Sequence, residues 1–171
     1  MFKQRTIKTS IRATGVGLHT GKKVLMTLRP AGVNTGIIFR RIDKESCTDI
    51  PASAELVGET NLGTTLVKDG IKVATIEHLM SAFAGLGIDN IIIELSEAEV
   101  PIMDGSAKDF LDILKISETK LLSEKRKFLK IEKKFELVEG ERKISIEPND
   151  GSLEVEFQLN YDNQIIGKQK N

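Results

Sequence analysis

The hydrophobic pattern of this chain changes its period near residue 75, and this change restricts the fold more than any other feature. Before it, short runs such as KKVLMTLRP and GIIFRRID end at Pro or Asp, which is typical of strands. Residues 76–84 instead place apolar side chains at helical spacing. The run NIIIEL at 90–95 is apolar almost throughout, which predicts a strand covered on both faces.

Turn and cap residues place the boundaries of these elements. Asp69-Gly70 predicts a hairpin, because this dipeptide readily adopts the backbone of a tight turn. Gly85 and Gly87 end the first helix. Ser106 is a good N-cap for a second helix, which we expect to end near Lys115.

The C-terminal part of the sequence predicts a second set of strands. The polar segment 117–127 is interpreted as the tail of the first domain and a link, and three strands are expected over 128–159. The apolar face of these strands has no helix in the sequence to cover it, so it either packs on the first domain or belongs to an incomplete second domain; we favour the second interpretation.

These patterns predict an α+β fold with two domains. A two-layer domain of sheet and helices spans 1–122, and the first strands of a second, similar domain span 123–171. A weak repeat supports the similarity, since GKKVLMTLRPAGVNTGIIFRR and GERKISIEPNDGSLEVEFQLN share an order of strand, Pro, turn and strand.

Charge and composition exclude several classes of partner. The 25 basic and 25 acidic residues give no net charge, and the chain has no Trp and one Tyr, so neither a basic surface nor a stacking platform for nucleic acid is expected. No run approaches the ~20 apolar residues of a membrane span, and the N-terminus has no apolar signal region. The single cysteine, Cys47, cannot form an internal disulfide and is interpreted as a loop residue in a reducing compartment, the cytoplasm.

One of only two histidines follows a glutamate at the start of the first helix. On a helical wheel His78 lies opposite the apolar stripe, beside the small residues Ser81, Ala82 and Gly85. A solvated helix face normally carries longer charged side chains, so this face suits close approach by another group. Thr75 is expected to cap the helix, and the helix dipole then favours the carboxylate and a neutral imidazole, the form that binds metal.

Residue patterns alone leave the role of this pair open. A lone histidine on a helix is most often structural or simply exposed, and catalytic zinc needs about three protein ligands. The candidates His19, His78, Cys47 and the carboxylates form no closed set in the sequence. His19 lies in GVGLHTGKK, which is not a phosphate loop because Val16 stands where a glycine is required. It is either a hairpin-loop residue or part of the lining of a site.

Three segments together resemble a known family. The sequences QRTIKTSIRATGVGLHTGKKVLMTLRPAGVNTGIIFRR, TIEHLMSAFAGLGIDN and PIMDGSAKDF are similar to those of the bacterial UDP-3-O-acyl-N-acetylglucosamine deacetylases, zinc enzymes of lipid A biosynthesis. The resemblance runs from about residue 3 to the C-terminus. It implies two similar α+β domains with an active site between them, and a UDP-sugar lipid as substrate.

The resemblance also implies roles for individual residues. His78 corresponds to a zinc ligand, Glu77 to the general base and His19, less directly, to a substrate-binding position. The remaining zinc ligands and the acid histidine are expected beyond residue 171, in the remainder of the second domain, so that this chain alone would be inactive. The alternative is a non-catalytic truncated fragment that keeps the fold.

Overall fold

The computed structural model of the chain describes residues 2–44, 48–151, 153–163 and 165–170. It divides into two compact units, Met1–Arg126 and Lys127–Asn171. The domain ranges 1–122 and 123–171 inferred from the sequence stay predictions. Cys47 lies outside the described residues, so its interpretation as a loop residue also stays a prediction.

The described part of the first unit contains ten strands and two α-helices. The strands are β1 (Lys3–Ile7), β2 (Ile11–Val16), β3 (Lys23–Pro30), β4 (Ile37–Arg41), β5 (Asp49–Pro51), β6 (Val57–Glu59), β7 (Thr65–Lys68), β8 (Ile71–Val73), β9 (Ile91–Leu95) and β10 (Thr119–Lys125). The helices are α1 (Glu77–Leu86) and α2 (Lys108–Ser117), and a single 3-10 turn lies at Ala54–Leu56. The predicted α+β class is confirmed.

A five-stranded sheet carries the core of this unit. Its strand order is β2-β3-β9-β4-β5, and only the pair β4–β9 is parallel. Alternate residues of β9 are fully buried, whereas Ile92 and Glu94 on the other face are half-buried. The expectation that both faces are covered therefore holds fully for one face only. On the buried side, Phe83 of α1 and Phe110 of α2 join Phe39 of β4 in one apolar cluster.

Two predictions of local pairing differ from the structure. The segment 117–127 was expected to be a link, but its residues 119–125 form β10, which pairs with β1 in antiparallel register, with Ile7 opposite Thr119. The strands on either side of the turn in the first copy of the repeat, β3 and β4, would pair directly in a hairpin, whereas β9 lies between them in the sheet. Both errors arise because long-range pairing decides the neighbour of a strand, and local patterns do not report it.

The second unit contains two antiparallel pairs among its described residues. β11 (Phe135–Glu139) pairs with β12 (Arg142–Ile146), and β13 (Gln158–Asn160) pairs with β14 (Lys168–Lys170). The last of the three strands expected over 128–159 is therefore present only from residue 158. Leu153, Val155 and Phe157, in the stretch before this strand, are exposed.

Candidate active site

The Glu-His pair lies in the first turn of α1, directly after the strand β8. The predicted capping role of Thr75 is wrong: the N-cap position is Ile76, whose side chain makes no capping hydrogen bond. The Thr75 hydroxyl donates instead to the carboxylate of Glu99, at 3.0 Å. Its backbone has a φ of 59°, in the left-handed region that a β-branched residue rarely adopts.

The core-facing side of α1 follows the predicted stripe with one exception. Leu79 and Phe83 are fully buried and Met80 packs partly against the core, as the spacing predicts. Ala82 was placed on the open side with His78, but it is buried as well, because α1 contacts the core over a wider arc than the stripe suggests. Of the other small residues on the open side, Ser81 and Gly85 are exposed, and His78 itself is half-buried.

Glu77 is exposed at the helix start and is held by a neighbouring loop. Its Oε1 accepts a hydrogen bond from the backbone N–H of Thr64. Partial burial raises the pKa of the Glu77 carboxyl, but hydrogen bonds from its own N–H and from Thr64 outweigh this effect and leave the pKa below its ordinary value. Glu77 is therefore ionised at neutral pH and able to accept a proton.

A second carboxylate joins the loop of His19 to the start of this helix. Glu99 is 1% exposed and lies after β9, where it forms a bridge with Ala74. It accepts hydrogen bonds from the backbone N–H groups of His19 (3.0 Å) and Thr20 (2.9 Å), as well as from the hydroxyls of Thr20 and Thr75. The same oxygen, Oε1, binds both His19 and Thr75. The three residues singled out in the sequence are thus brought to one region, His19 through its backbone and Glu77 and His78 through the helix that follows Thr75.

Burial alone raises the pKa of Glu99, yet the donors from His19, Thr20 and Thr75 together hold it below its ordinary value. No ion pair reaches this carboxylate among the residues the structure describes. Neutral donors therefore stabilise the buried charge.

The donor set for a metal is partial. His78 offers an imidazole nitrogen of the kind zinc prefers, and Glu77 offers a carboxylate beside it. Within 2–44, 48–151, 153–163 and 165–170, no three side chains of His, Cys, Asp or Glu come together as a metal site. The described residues fit one position of a zinc site and do not complete one.

Sequence reasoning missed Glu99 and Thr64. Glu99 stands in SEAEVP beside Glu97, and nothing in that pattern distinguishes the buried carboxylate from the half-exposed one, which pairs with Lys22. Thr64 acts through its backbone N–H, which has no signature in the side-chain sequence. The one available signal was the glycine pattern of GVGLHTG, which indicates a loop that approaches another group closely.

None of the described helices is both long enough and apolar enough to cross a membrane.

Comparisons with known proteins agree on one family. The profile described as UDP-3-O-acyl N-acetylglycosamine deacetylase matches residues 4–171. A UDP-3-O-acyl-N-acetylglucosamine deacetylase of Marinobacter nauticus is 52% identical over 166 residues, which cover 97% of this chain and 54% of that protein. The protein of the same name in Teredinibacter turnerae is 50% identical over 170 residues, 99% of this chain and 56% of its own length. The chain thus spans about half the length of the curated relatives it matches.

Proposed function

Because this chain belongs to the UDP-3-O-acyl N-acetylglycosamine deacetylase family, we propose that it supplies part of the active site for zinc-dependent hydrolysis of an N-acetyl group. The substrate is UDP-3-O-(3-hydroxyacyl)-N-acetylglucosamine, and the reaction is the committed step of lipid A biosynthesis. Water adds to the acetamide carbonyl, the C–N bond breaks, and acetate and the free glucosamine amine leave. The cytoplasmic location expected from the sequence stays a prediction.

One observation supports this proposal above the others: an ionised carboxylate and an imidazole stand side by side in the first turn of one helix. The N–H of Thr64 donates to Glu77 Oε1 and so orients the carboxylate, which would take a proton from the attacking water. His78 is half-buried and lies outside the buried stripe of α1, so its ring is available as a ligand.

Zinc, when bound, supplies Lewis-acid polarisation of the carbonyl. In this chain His78 would hold it, together with ligands that the described residues do not provide. His19 is exposed on the loop that Glu99 anchors, and it is the chain's candidate for contact with the substrate.

The test is acetate release from this substrate by the full-length gene product. Glu77→Gln should keep its zinc and lose roughly 10²–10⁴-fold in turnover, the usual range for a general base. His78→Ala should lose zinc and turnover together. Glu55→Gln, which changes an exposed carboxylate of the 3-10 turn, is the matched control and should retain activity.

Two results would contradict the assignment. One is a Glu77→Gln protein with near-normal turnover, and the other is a His78→Ala protein that keeps both zinc and activity. A folded wild-type protein that releases no acetate from this substrate would instead favour the non-catalytic alternative.

A further inference from the structure

Glu99 is a buried carboxylate whose hydrogen-bond donors come from two separate segments of the chain. Its side chain accepts four hydrogen bonds, of 2.7 to 3.0 Å, from His19, Thr20 and Thr75. A buried carboxylate without a cation persists only where hydrogen-bond donors compensate its lost hydration. Here the donors come from the loop after β2 and from Thr75, which precedes the N-cap of α1. The arrangement is therefore best explained by what the carboxylate holds in place.

On one side it holds the loop between β2 and β3. This loop closes on itself through the N–H of Gly17, which donates to Lys22 O at 2.9 Å, and through Gly21, whose N–H donates to Gly17 O. A Cβ on Gly17 would lie 2.4 Å from Glu99 Oε2. Only glycine permits this approach, so the loop is shaped to the carboxylate.

On the other side it holds a strained residue. Thr75 keeps its left-handed backbone although its side chain is β-branched, and such strain persists only where surrounding contacts enforce it. The contacts here are the bond from its hydroxyl to Glu99 and two backbone bonds between Ala74 and the segment 98–100. Glu77 follows Thr75 by two residues, so the backbone of Thr75 sets the direction in which α1 begins.

We propose that Glu99 is a positioning residue for the deacetylation: through Thr75 it orients the Glu77–His78 pair, and through His19 and Thr20 it fixes the substrate-facing loop against that pair. The inference rests on the proposed function for its catalytic meaning. It adds that one carboxylate fixes the start of α1 and the loop between β2 and β3 relative to each other.

The two halves of this network can be separated by isosteric changes. Thr75→Val removes the hydroxyl on the helix side and keeps the shape, so kcat of the full-length gene product should fall by about 10- to 100-fold, since small misplacements of reacting groups have effects of this size. Thr20→Val removes a hydroxyl on the loop side, so KM should rise several-fold with a smaller change in kcat. Glu99→Gln turns one oxygen into a donor facing donors, and both parameters should worsen.

Rescue and control variants separate positioning from folding. Thr75→Ser restores the hydroxyl and should recover most of the lost kcat. Thr14→Val, at an exposed threonine of β2, removes a hydroxyl outside the network and should match the wild type in kcat and KM. Thermal unfolding of each variant is measured in parallel, and kcat is compared at a temperature at which every variant is fully folded, because loss of kcat in a folded variant is the outcome that a purely structural role does not produce.

Hydrogen exchange keeps the inference testable whatever the enzyme assay shows. In Thr75→Val, exchange should accelerate at the amides of His19 and Thr20, which share the carboxylate, and at Met80, whose N–H closes the first turn of α1 on Ile76 O at 2.9 Å. Unchanged exchange at all three amides would overturn the inference. So would equal kcat in Thr75→Val and the wild type, whereas a wild type inactive on the proposed substrate would overturn the proposed function alone.

Discussion

Two glycines of the first unit should respond in opposite directions to the same substitution. An added Cβ at Gly17 would lie 2.4 Å from Glu99 Oε2 and from Thr20 Oγ1, well inside contact distance. At Gly85, in the exposed part of α1, the same Cβ would meet no atom within 4 Å. Neither position has a left-handed backbone, so the steric difference decides the outcome.

The size of the effect at Gly17 follows from what must move. Glu99 Oε2 accepts both the N–H and the hydroxyl of Thr20, and relieving the clash separates them. A hydrogen bond to a charged group contributes about 1.5–3 kcal/mol, so Gly17→Ala should lower the free energy of unfolding by about 3 kcal/mol or more. Gly85→Ala should raise it by about 0.5–1 kcal/mol, the usual gain over glycine within a helix.

The assay is urea unfolding of both variants and the wild type, monitored by far-UV circular dichroism. With a slope of about 1–3 kcal/mol per molar urea, Gly17→Ala should move the midpoint down by about 1–3 M, and Gly85→Ala should move it slightly up. The reasoning is refuted if the two variants have the same urea midpoint, or if Gly17→Ala has the same midpoint as the wild type.

Three further predictions concern burial, pH and metal. Gln4→Leu removes the buried amide oxygen that accepts hydrogen bonds from Asn34 N and Asn90 Nδ2, so it should lower the free energy of unfolding by about 1–3 kcal/mol for each donor left unpaired. Lys3→Met, at an exposed position of the same strand, is the control and should change that free energy by less than about 0.5 kcal/mol. Equal losses for the two variants in urea unfolding would contradict this prediction. The pKa of Glu99 is lower in the folded chain than its ordinary value of 4.5, so the stabilisation that its ionised form provides is present above pH 4.5 and is lost as the pH falls toward the folded pKa. The wild type should therefore lose more free energy of unfolding on acidification than Glu99→Gln. Parallel profiles of unfolding free energy against pH for the two proteins would count against the network. The chain of residues 1–171 should retain less than one zinc after dialysis, because the described residues bring no set of three metal-binding side chains together around the proposed ligand His78. A full equivalent of tightly bound zinc by elemental analysis would show that further ligands are present.

Local sequence signals predicted the elements whose cause is local. The helical spacing of Leu79 and Phe83 placed α1, and Gly87, with a φ of 64°, ends it as expected. The Asp69-Gly70 turn joins β7 to β8 as predicted. In each case the residue that determines the structure lies within a few positions of the structure it determines.

Features that depend on distant residues were not predictable in this way. Thr75 is predicted to be a cap because the residues that follow it form a helix, yet its hydroxyl donates to Glu99, 24 positions later in the chain. The polar composition of 119–125 suggested a link, although the same residues complete a sheet with β1. The sequence therefore names the candidate site residues His19, Glu77 and His78 separately. The carboxylate that links their segments, Glu99, is identified only from the folded structure.

The pairing of β1 with β10 also has a consequence for synthesis. Gln4 and the carbonyl of Lys125 are hydrogen-bonded although they are 121 positions apart. At a translation rate of about 5–20 residues per second, β1 therefore waits about 6–24 s on the ribosome before its partner strand has been made. During that interval its edge is open to other chains. The first unit can close only near the end of its own translation, so a pause of the ribosome within the first 120 or so codons prolongs the time in which the nascent strand is free to mispair.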